Sequence, residues 1–376
     1  MNTLFEVNTL DLTLERFPCS NDENLQAWDS ADQYVLEHIE QLADKPNNIL
    51  IINDTFGALV CGLAQYDITA QSDSYIAKQA YFYNIERNNL TSSYQYINQL
   101  HQVTTPPDLV VLKLPKSNTM LIEQLTQLAN VIAPSTTVIG LAKAKDIRTS
   151  TLALFEKYLG TTTTSLAKKK SRLIFCQPQA DKLNKNLTTQ IKKWSINKPA
   201  LSISNLPGVF ANTSLDIGAQ LMIENIPQNI GYASVIDLGC GNGVLGLAAA
   251  AMNPDAQVTF SDESFMAVES ARLNVGNNIE QPQRCDFMWN DCLTDIEFDS
   301  VDWIICNPPF HQLQTITDHI AWQMFNDAYR VLKRGGTLRI VGNRHLGYHI
   351  KLQRIFDNCT TVASNGKFVI LEAVRR

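Results

Sequence analysis

The stretch that decides the fold is Val235-Ile236-Asp237-Leu238-Gly239-Cys240-Gly241-Asn242-Gly243-Val244-Leu245-Gly246. An apolar run ends near an acid, three glycines follow at alternate positions, and small apolar residues come next. This order is typical of a strand that passes through a tight turn into a helix. Glycine in such a turn lets the backbone approach a ligand closely, because no Cβ blocks the way. The spacing differs from the dinucleotide pattern G-x-G-x-x-G, so a pyrophosphate is not the expected ligand.

Strands and helices alternate on the C-terminal side of this turn. The pattern predicts strands at 234–238, 257–261, 286–289 and 301–306, helices at 246–252, 264–274 and 321–332, and further strands at 337–341 and 368–372. Such alternation indicates a doubly wound α/β sheet that binds ligands at the carboxyl ends of its strands.

The N-terminal half repeats this plan in a blurred form. Residues 52–57 align with 236–241 at a shift of 184, residues 77–88 with 267–278 at a shift of 190, and residues 108–115 with 302–309 at a shift of 194. We therefore predict two tandem Rossmann-like domains, a degenerate one at 1–190 and a catalytic one at 191–376. The alternative is chance similarity between two unrelated α/β domains.

The glycine-rich turn contains the first candidate cofactor ligands. Asp237 can approach the ammonium and sugar side of a methionine-containing cofactor. The glycines expected to lie against the same cofactor are Gly239, Gly241 and Gly243.

Two further acids follow predicted strands. Asp262 can accept hydrogen bonds from both ribose hydroxyls of a nucleoside, as the acid of dinucleotide folds does. Glu263 competes for this role, and a plain helix N-cap is the alternative for Asp262. Asp291, beside Asn290, can reach an adenine amino group, or it lies in a solvated turn.

The most specific motif is Asn307-Pro308-Pro309-Phe310, directly after an apolar strand. The prolines stiffen the backbone and remove their own amide donors, so carbonyl oxygens are left to face a cleft. These carbonyl oxygens and the Asn307 side-chain oxygen can accept hydrogen bonds from both N–H groups of an exocyclic amino group. The nitrogen lone pair is then free to attack a sulfonium methyl. Phe310 can stack on a flipped base. We predict Asn307, Pro308 and Phe310 as the catalytic residues, with Asn307 also beside the cofactor.

Composition disfavours several protein classes. No apolar run approaches the ~20 residues that cross a bilayer, and the N-terminus lacks the basic-then-apolar order of a signal peptide. The eight cysteines show no CxxC pair and no metal-ligand spacing. These features predict a cytoplasmic protein with reduced thiols, no bound metal and no membrane partner.

The charges are unevenly distributed along the chain, which has a net charge of −6. Residues 1–140 carry 6 basic and 16 acidic side chains, residues 141–200 carry 13 and 3, and residues 201–376 carry 12 and 18. The basic segment is densest at Lys168–Lys170 with Arg172. It predicts a contact with RNA phosphates, and a solvated linker is the alternative.

The glycine-rich turn and the Asn307–Phe310 motif together resemble the class I amino methyltransferases, which use S-adenosylmethionine. Other segments are similar to the ribosomal RNA guanine-N2 methyltransferases, and the large-subunit enzymes match over nearly the whole chain. These segments are Leu25–Trp28, Asn53–Leu59, Lys143–Ile147, Phe210, Asp216–Ala219, His311, Ala321-Trp322, Asn343–Leu346 and Asn365–Phe368. The resemblance implies methylation of a guanine N2 in 23S rRNA, with ribosomal RNA as the partner.

The N-terminal copy departs from the catalytic pattern. Phe56 replaces a small residue in its turn, and Lys113-Leu114-Pro115 lacks the acceptor asparagine. We expect it to bind no cofactor and to serve in RNA recognition or in support of the active domain.

Other functions stay open at this stage. A small-subunit (16S) guanine-N2 methyltransferase has a similar plan, and adenine-N6 and glutamine-N5 methyltransferases use the same Asn-Pro-Pro motif. A dehydrogenase does not explain that motif. A catalytically inactive RNA-binding protein fits the N-terminal half alone.

Overall fold

The computed structural model describes residues 3–7, 9–19, 25–91, 94–211, 213–309 and 314–376, with the backbone alone for 314–318. The chain divides into two compact units, unit 1 (residues 1–190) and unit 2 (residues 191–376). Among the described residues, no helix has both the length and the apolarity needed to cross a membrane.

Unit 1 is an α/β domain. Its strands, within the described residues, are β1 (Leu4–Val7), β2 (Leu10–Thr13), β3 (Asn48–Ile52), β4 (Asp67–Ser72), β5 (Tyr94–Asn98), β6 (Leu109–Lys113), β7 (Thr137–Lys143), β8 (Gly160–Thr164) and β9 (Ser171–Pro178). Its helices are α1 (Ser30–Glu40), α2 (Ala58–Gly62), α3 (Tyr75–Arg87), α4 (Asn118–Val131) and α5 (Thr149–Tyr158). β1 and β2 form a hairpin, and the other strands form one sheet in the order β5-β4-β3-β6-β7-β9-β8.

Unit 2 has the same plan. Its strands, again within the described residues, are β10 (Lys192–Asn197), β11 (Ala200–Asn205), β12 (Ser234–Leu238), β13 (Gln257–Asp262), β14 (Cys285–Trp289), β15 (Val301–Cys306), β16 (Leu332–Asn343), β17 (Thr360–Ser364) and β18 (Phe368–Val374). Its helices are α6 (Ile217–Ile223), α7 (Val244–Met252), α8 (Phe265–Asn278), α9 (Gln314–Val331) and α10 (Tyr348–Phe356). A hairpin of β10 and β11 stands beside a sheet in the order β14-β13-β12-β15-β16-β18-β17.

The sheet of unit 2 places the site. β12 pairs in parallel with β13 and β15, β13 with β14, and β15 with β16, so the carboxyl ends of these five strands meet at one edge. Strand β15 is apolar because both of its faces are covered. Ile305 packs with the helices on one face and Ile304 with α9 and α10 on the other. The predicted doubly wound α/β fold is confirmed, with an antiparallel pair, β18 and β17, added at one end.

Equivalent asparagines make equivalent hydrogen bonds in the two units. In α3, Asn84 Nδ2 donates to the Phe56 carbonyl at 2.8 Å. In α8, Asn274 Nδ2 donates to the Asn242 carbonyl, also at 2.8 Å. Since each asparagine is buried and ties a helix to the turn after the first sheet strand, this shared detail supports the predicted tandem duplication.

The predicted alignment of the two turns is wrong by two residues. Gly57 and Gly243 both precede the first helix after the turn, in the left-handed conformation with φ of +87° and +79°. The backbone amides of Asn53 and Gly239 likewise both donate to the neighbouring strand. These correspondences give a shift of 186 rather than 184. The sequence alignment had matched Gly57 to Gly241, which is also a left-handed glycine but lies inside the turn.

Candidate active site

The predicted site residues of unit 2 lie at or just after the carboxyl ends of four neighbouring strands. Asp237 lies in β12, Asp262 ends β13, Asp291 follows β14 and Asn307 follows β15. The parallel pairing of these strands brings the four positions together. Phe310, predicted as a catalytic residue, lies outside the described residues.

The three glycines of the turn are needed for different reasons. Gly241 has φ of +55°, and no atom of the described residues lies within 4 Å of where its Cβ would be. A Cβ on Gly243 would lie 2.7 Å from the Ala271 Cβ, and one on Gly239 would lie 3.0 Å from Met324. Gly241 therefore offers the bare backbone that a ligand can approach, whereas Gly243 lets α7 pack against α8.

Asp237 is a buried acid with spare capacity to accept hydrogen bonds. Its Oδ2 accepts from the Gly246 amide at 2.7 Å, and its Oδ1 is buried without a partner in the described structure. Burial raises the pKa of Asp237 to about 8, with a further contribution from the charge of Asp262. A cation or a hydroxyl donor beside Oδ1 would offset the free-energy cost of burying this carboxylate.

Asp262 links the glycine-rich turn to α8. Its Oδ2 accepts from the Gly241 amide at 2.8 Å and its Oδ1 from the Ser264 amide at 2.9 Å. Burial raises its pKa in spite of these bonds. The Glu263 amide is a third backbone donor to this carboxylate, which has about four acceptor positions, so Asp262 can hold the turn and still accept from a ribose hydroxyl. The cap is provided by Ser264, whose Oγ accepts from the Ala267 amide at 3.1 Å.

The Asn307 side chain offers a buried acceptor. Its Oδ1 has no hydrogen-bond partner in the described structure, although Asn307 as a whole is only half-buried. Pro308 is buried and Pro309 is exposed, so the backbone turns outward directly after the acceptor. An amide oxygen in this state is costly unless something donates to it.

The position after β14 differs from the simple expectation. The Asp291 carboxyl is hydrogen-bonded to Gln323 and to Cys292, and burial raises its pKa. The neighbouring Asn290 is also buried, and its Nδ2 donor has no partner in the described structure. An amide donor suits a ring nitrogen of adenine, whereas Asp291 as a ligand of the adenine amino group stays a prediction.

Sequence reasoning missed three asparagines around this edge. Asn205 and Asn242 are both buried and joined side chain to side chain at 3.1 Å. Asn343, at the end of β16, has a buried Oδ1 without a partner in the described structure. Their signal is an amide residue next to a strand end, and such residues are too common for this alone to single them out.

Unit 1 lacks the polar groups that define this edge in unit 2. The residues that stand at the positions of Asp237, Asp262 and Asn307 are Ile51, Ser72 and Lys113. At the position of Gly239, Asn53 exchanges two hydrogen bonds with Gln124, at 2.8 and 3.0 Å. The turn is therefore closed by side chains where unit 2 presents bare backbone.

Lys113 forms a buried ion pair in unit 1. Its Nζ lies 2.7 and 2.8 Å from the two oxygens of Asp32 and 3.3 Å from Asp29. Burial lowers the pKa of Lys113, but the carboxylates raise it more, so the lysine stays charged. At the position of the Asn307 acceptor of unit 2, unit 1 therefore has a lysine donor that is already paired with Asp32 and Asp29.

The described residues contain no cluster of three or more His, Cys, Asp or Glu side chains that could hold a metal ion.

Two family models match the chain. "RLMG N-terminal domain" matches residues 2–180, and "Methyltransferase small domain" matches residues 200–372.

Curated relatives match over the full length. Ribosomal RNA large subunit methyltransferase G of Vibrio vulnificus (strain YJ016) is 50% identical over 376 residues, covering 98% of this chain and 99% of the relative. The protein of the same name from Aeromonas salmonicida (strain A449) is 50% identical over 380 residues and 100% of both chains. That of Pseudoalteromonas translucida (strain TAC 125) is 47% identical over 368 residues and 96% of both.

One solved structure is similar across both units. It is a T. thermophilus 16S rRNA N2 methyltransferase in complex with AdoMet and guanosine, with a TM-score of 0.79 and 19% identity. The match covers 100% of this chain and 98% of that one. At this identity the likeness establishes the two-domain fold.

Proposed function

This chain belongs to the ribosomal RNA large subunit methyltransferase G family, and from that premise we propose that it methylates the exocyclic N2 of a guanine in 23S rRNA. Its methyl donor is S-adenosylmethionine. Unit 2 is the catalytic domain, and unit 1 recognises RNA or supports unit 2. The enzyme works in the cytoplasm.

The residues at the edge of the unit 2 sheet fit this cofactor. The Asp237 Oδ1, which has no partner among the described residues, suits the ammonium or a sugar hydroxyl, and the remaining acceptor capacity of Asp262 suits the ribose. Gly241 leaves open space beside the turn, and Asn290 Nδ2 is a donor for an adenine nitrogen. When bound, the cofactor supplies an electrophilic methyl group on a sulfonium.

The observation that carries the proposed chemistry is the buried Oδ1 of Asn307, to which no described residue donates a hydrogen bond. A guanine N2 has two hydrogens and a lone pair delocalised into the ring. By accepting a hydrogen bond from one N–H of this group, Asn307 holds the amino group and increases the electron density on its nitrogen. The backbone carbonyls of Asn307 and Pro308 are candidates for accepting a hydrogen bond from the second N–H. No strong base is required, because the nitrogen becomes acidic once it is methylated.

The reaction is tested on ribosomal RNA from a strain that lacks this gene. The 23S and 16S species are separated, incubated with the protein and methyl-labelled cofactor, and digested to nucleosides. We expect label in N2-methylguanosine from 23S rRNA. Label in 16S rRNA alone would identify a small-subunit enzyme, and label in N6-methyladenosine would replace the proposed substrate. A parallel incubation with protein in place of RNA tests for methylated glutamine, which would also replace it.

A further inference from the structure

Unit 2 exposes an aromatic side chain in the segment that leads into α6. Phe210 is 56% exposed, and Ile217, the first residue of α6, is 61% exposed. A single exposed apolar residue needs no explanation. Phe210 differs from an ordinary exposed residue in the hydrogen bonds that fix its backbone.

Two buried amides tie Phe210 to the glycine-rich turn. Asn205 Nδ2 donates to the carbonyls of Phe210 and Ala211, at 3.2 and 3.1 Å. Asn205 Oδ1 accepts from Asn242 Nδ2 at 3.1 Å, and Asn242 Oδ1 accepts from the Val244 amide at 3.1 Å. The two side chains are 1% and 3% exposed. We call this chain of bonds the amide relay.

The relay holds the segment in an unfavourable conformation. Ala211 has φ of +54°, in the left-handed region that disfavours any residue with a Cβ. The bond from Asn205 to the Ala211 carbonyl fixes this residue.

Unit 1 shares the surrounding fold, but its described residues do not form an equivalent of the relay. Arg16 stands at the position of Asn205, and Phe56 stands at that of Asn242. The Arg16 guanidinium lies 4.8 Å above the Phe56 ring, which closes the gap with a cation–π contact. The relay is therefore not required by the fold, and it occurs in the unit that carries the Asn307 motif.

We propose that Phe210 is a stacking platform for a nucleobase of the substrate RNA that neighbours the methylated guanine. This inference rests on the proposed function. An enzyme that takes a base out of a duplex leaves its neighbours exposed, and an aromatic face stacks on any base. Asn205 is a positioning residue, because it fixes the Phe210 backbone relative to the cofactor turn.

The test compares Phe210→Ala with a matched aromatic control. Tyr232→Ala removes a ring that is 90% exposed in the same unit, but next to the start of β12, at the opposite edge of the sheet. We expect Phe210→Ala to weaken binding of 23S rRNA by about 10-fold. Tyr232→Ala should bind like the wild type. Cofactor affinity and thermal unfolding should be unchanged in both variants.

A second measurement reports stacking directly. In Phe210→Trp the added indole should lose fluorescence when a single-stranded RNA fragment of the substrate binds, whereas in Tyr232→Trp it should not. Adding Asn205→Ala to Phe210→Trp should weaken this quenching and raise the KM for RNA more than it lowers kcat. A purely structural role for Asn205 would change stability and leave the quenching per bound RNA unchanged.

The outcomes separate the inference from the proposed function. If the wild type methylates 23S rRNA and Phe210→Ala binds that RNA normally, the stacking platform is wrong. If the wild type methylates no RNA, the proposed function fails instead. A loss seen only with assembled ribosomal particles, and not with naked rRNA, would identify a protein contact and also overturn the inference.

Discussion

Asn307 gives the sharpest prediction at the scale of single residues. Its buried acceptor gains its full value only when the amino nitrogen becomes tetrahedral, so it stabilises the transition state more than the bound substrate. We expect Asn307→Ala to lower kcat by about 100-fold and to change cofactor affinity by only a few-fold. Single-turnover kinetics and calorimetry measure the two effects.

Asn326 provides the control for that variant. It is an exposed amide on α9 whose Nδ2 donates to the Trp322 carbonyl in its own helix. Asn326→Ala should therefore keep normal turnover. An Asn307→Ala enzyme with near-normal turnover would contradict the mechanism, because the exocyclic nitrogen would then be activated by other groups.

Asp262 should act on cofactor binding. Asp262→Ala removes an acceptor for the ribose and also the bond that holds the Gly241 amide. A hydrogen bond to a charged group contributes about 1.5–3 kcal/mol, so we expect calorimetry to show a loss of at least that size. Ser264→Ala removes the cap of α8, and it should cost about 1 kcal/mol of stability without changing cofactor affinity. Unchanged affinity in Asp262→Ala would transfer the ribose role to Glu263.

Asp237 makes the stability of the cofactor-free protein depend on pH. Burial raises its folded pKa to about 8, whereas an unfolded aspartate titrates near about 3.9. Between these values the folded state holds a proton that the unfolded chain has released. Stability from this group is therefore complete below about pH 4 and is lost as the pH rises towards about 8.

Urea unfolding of the wild type and of Asp237→Asn across this range tests the prediction. The difference between their free energies of unfolding should change by up to about 1.4 kcal/mol per pH unit, with the wild type losing stability relative to the variant as the pH rises. Parallel pH dependence in the two proteins would mean that Asp237 titrates normally.

At the scale of elements, the sequence predicted the buried central strands better than the edge strand of the sheet. β12 and β15 are buried on both faces, so their apolar runs gave their bounds correctly. β17 was not predicted, because this edge strand, Thr360–Ser364, is mostly exposed and shows no apolar alternation. Pairing with β18 determines its conformation, and a local pattern does not contain that partner.

The placement of the candidate site residues at one edge of the sheet was predicted to a similar extent, whereas their roles remain predictions. Chemical type and strand-end position were enough to select Asp237, Asp262 and Asn307. The partners of these groups could not be read from the sequence: the Asp262 bond to Gly241 and the amide relay through Asn205 join positions far apart in the chain. The two-residue alignment error in unit 1 arose because matching glycines by identity says nothing of where each lies in its turn.

The end of β6 carries a prediction for unit 1. Lys113 is largely buried against Asp32 and Asp29, so removing its charge leaves these two carboxylates without a cation. We expect Lys113→Met to destabilise unit 1 by about 3–5 kcal/mol in urea unfolding. The added change Asp32→Leu should recover part of that loss. Cofactor affinity should stay at the wild-type value, and a loss of affinity would show that unit 1 takes part in cofactor binding.

At the scale of the whole molecule, the positive charge is concentrated where unit 1 makes an unusual turn. Lys168 and Ser171 pair through two hydrogen bonds of 2.9 Å, and Lys169 and Lys170 between them have φ of +47° and +66°. Two-residue hairpin turns of this kind favour Asn-Gly, because both central residues need positive φ. Lysine at both positions therefore costs stability, and the proposed contact with RNA would account for this choice of residue.

The four predicted RNA contacts are not equal in the structure. Lys168 forms an ion pair with Glu37 and lies over the Tyr34 ring, and Arg172 is only half-exposed. Lys169 and Lys170 are exposed. The hairpin adjoins the carboxyl end of β7, because Ser171 pairs with Lys143. The phosphate contacts should therefore come mainly from the two turn lysines.

Replacing Lys169 and Lys170 with the residues that this turn prefers should raise the stability of the protein and lower its affinity for RNA. The double variant Lys169→Asn with Lys170→Gly should unfold at a higher urea concentration, because both residues accept positive φ readily. The same variant should bind 23S rRNA more weakly, and its log–log dependence of affinity on salt should flatten by about 0.7 to 0.9 for each phosphate that the protein no longer neutralises. Lys157→Ala, on α5, is the control for removal of an exposed charge elsewhere in the basic segment. A double variant that gains stability and keeps both the affinity and the salt slope of the wild type would show that the turn lysines do not touch RNA, because a folding defect could not then explain the result.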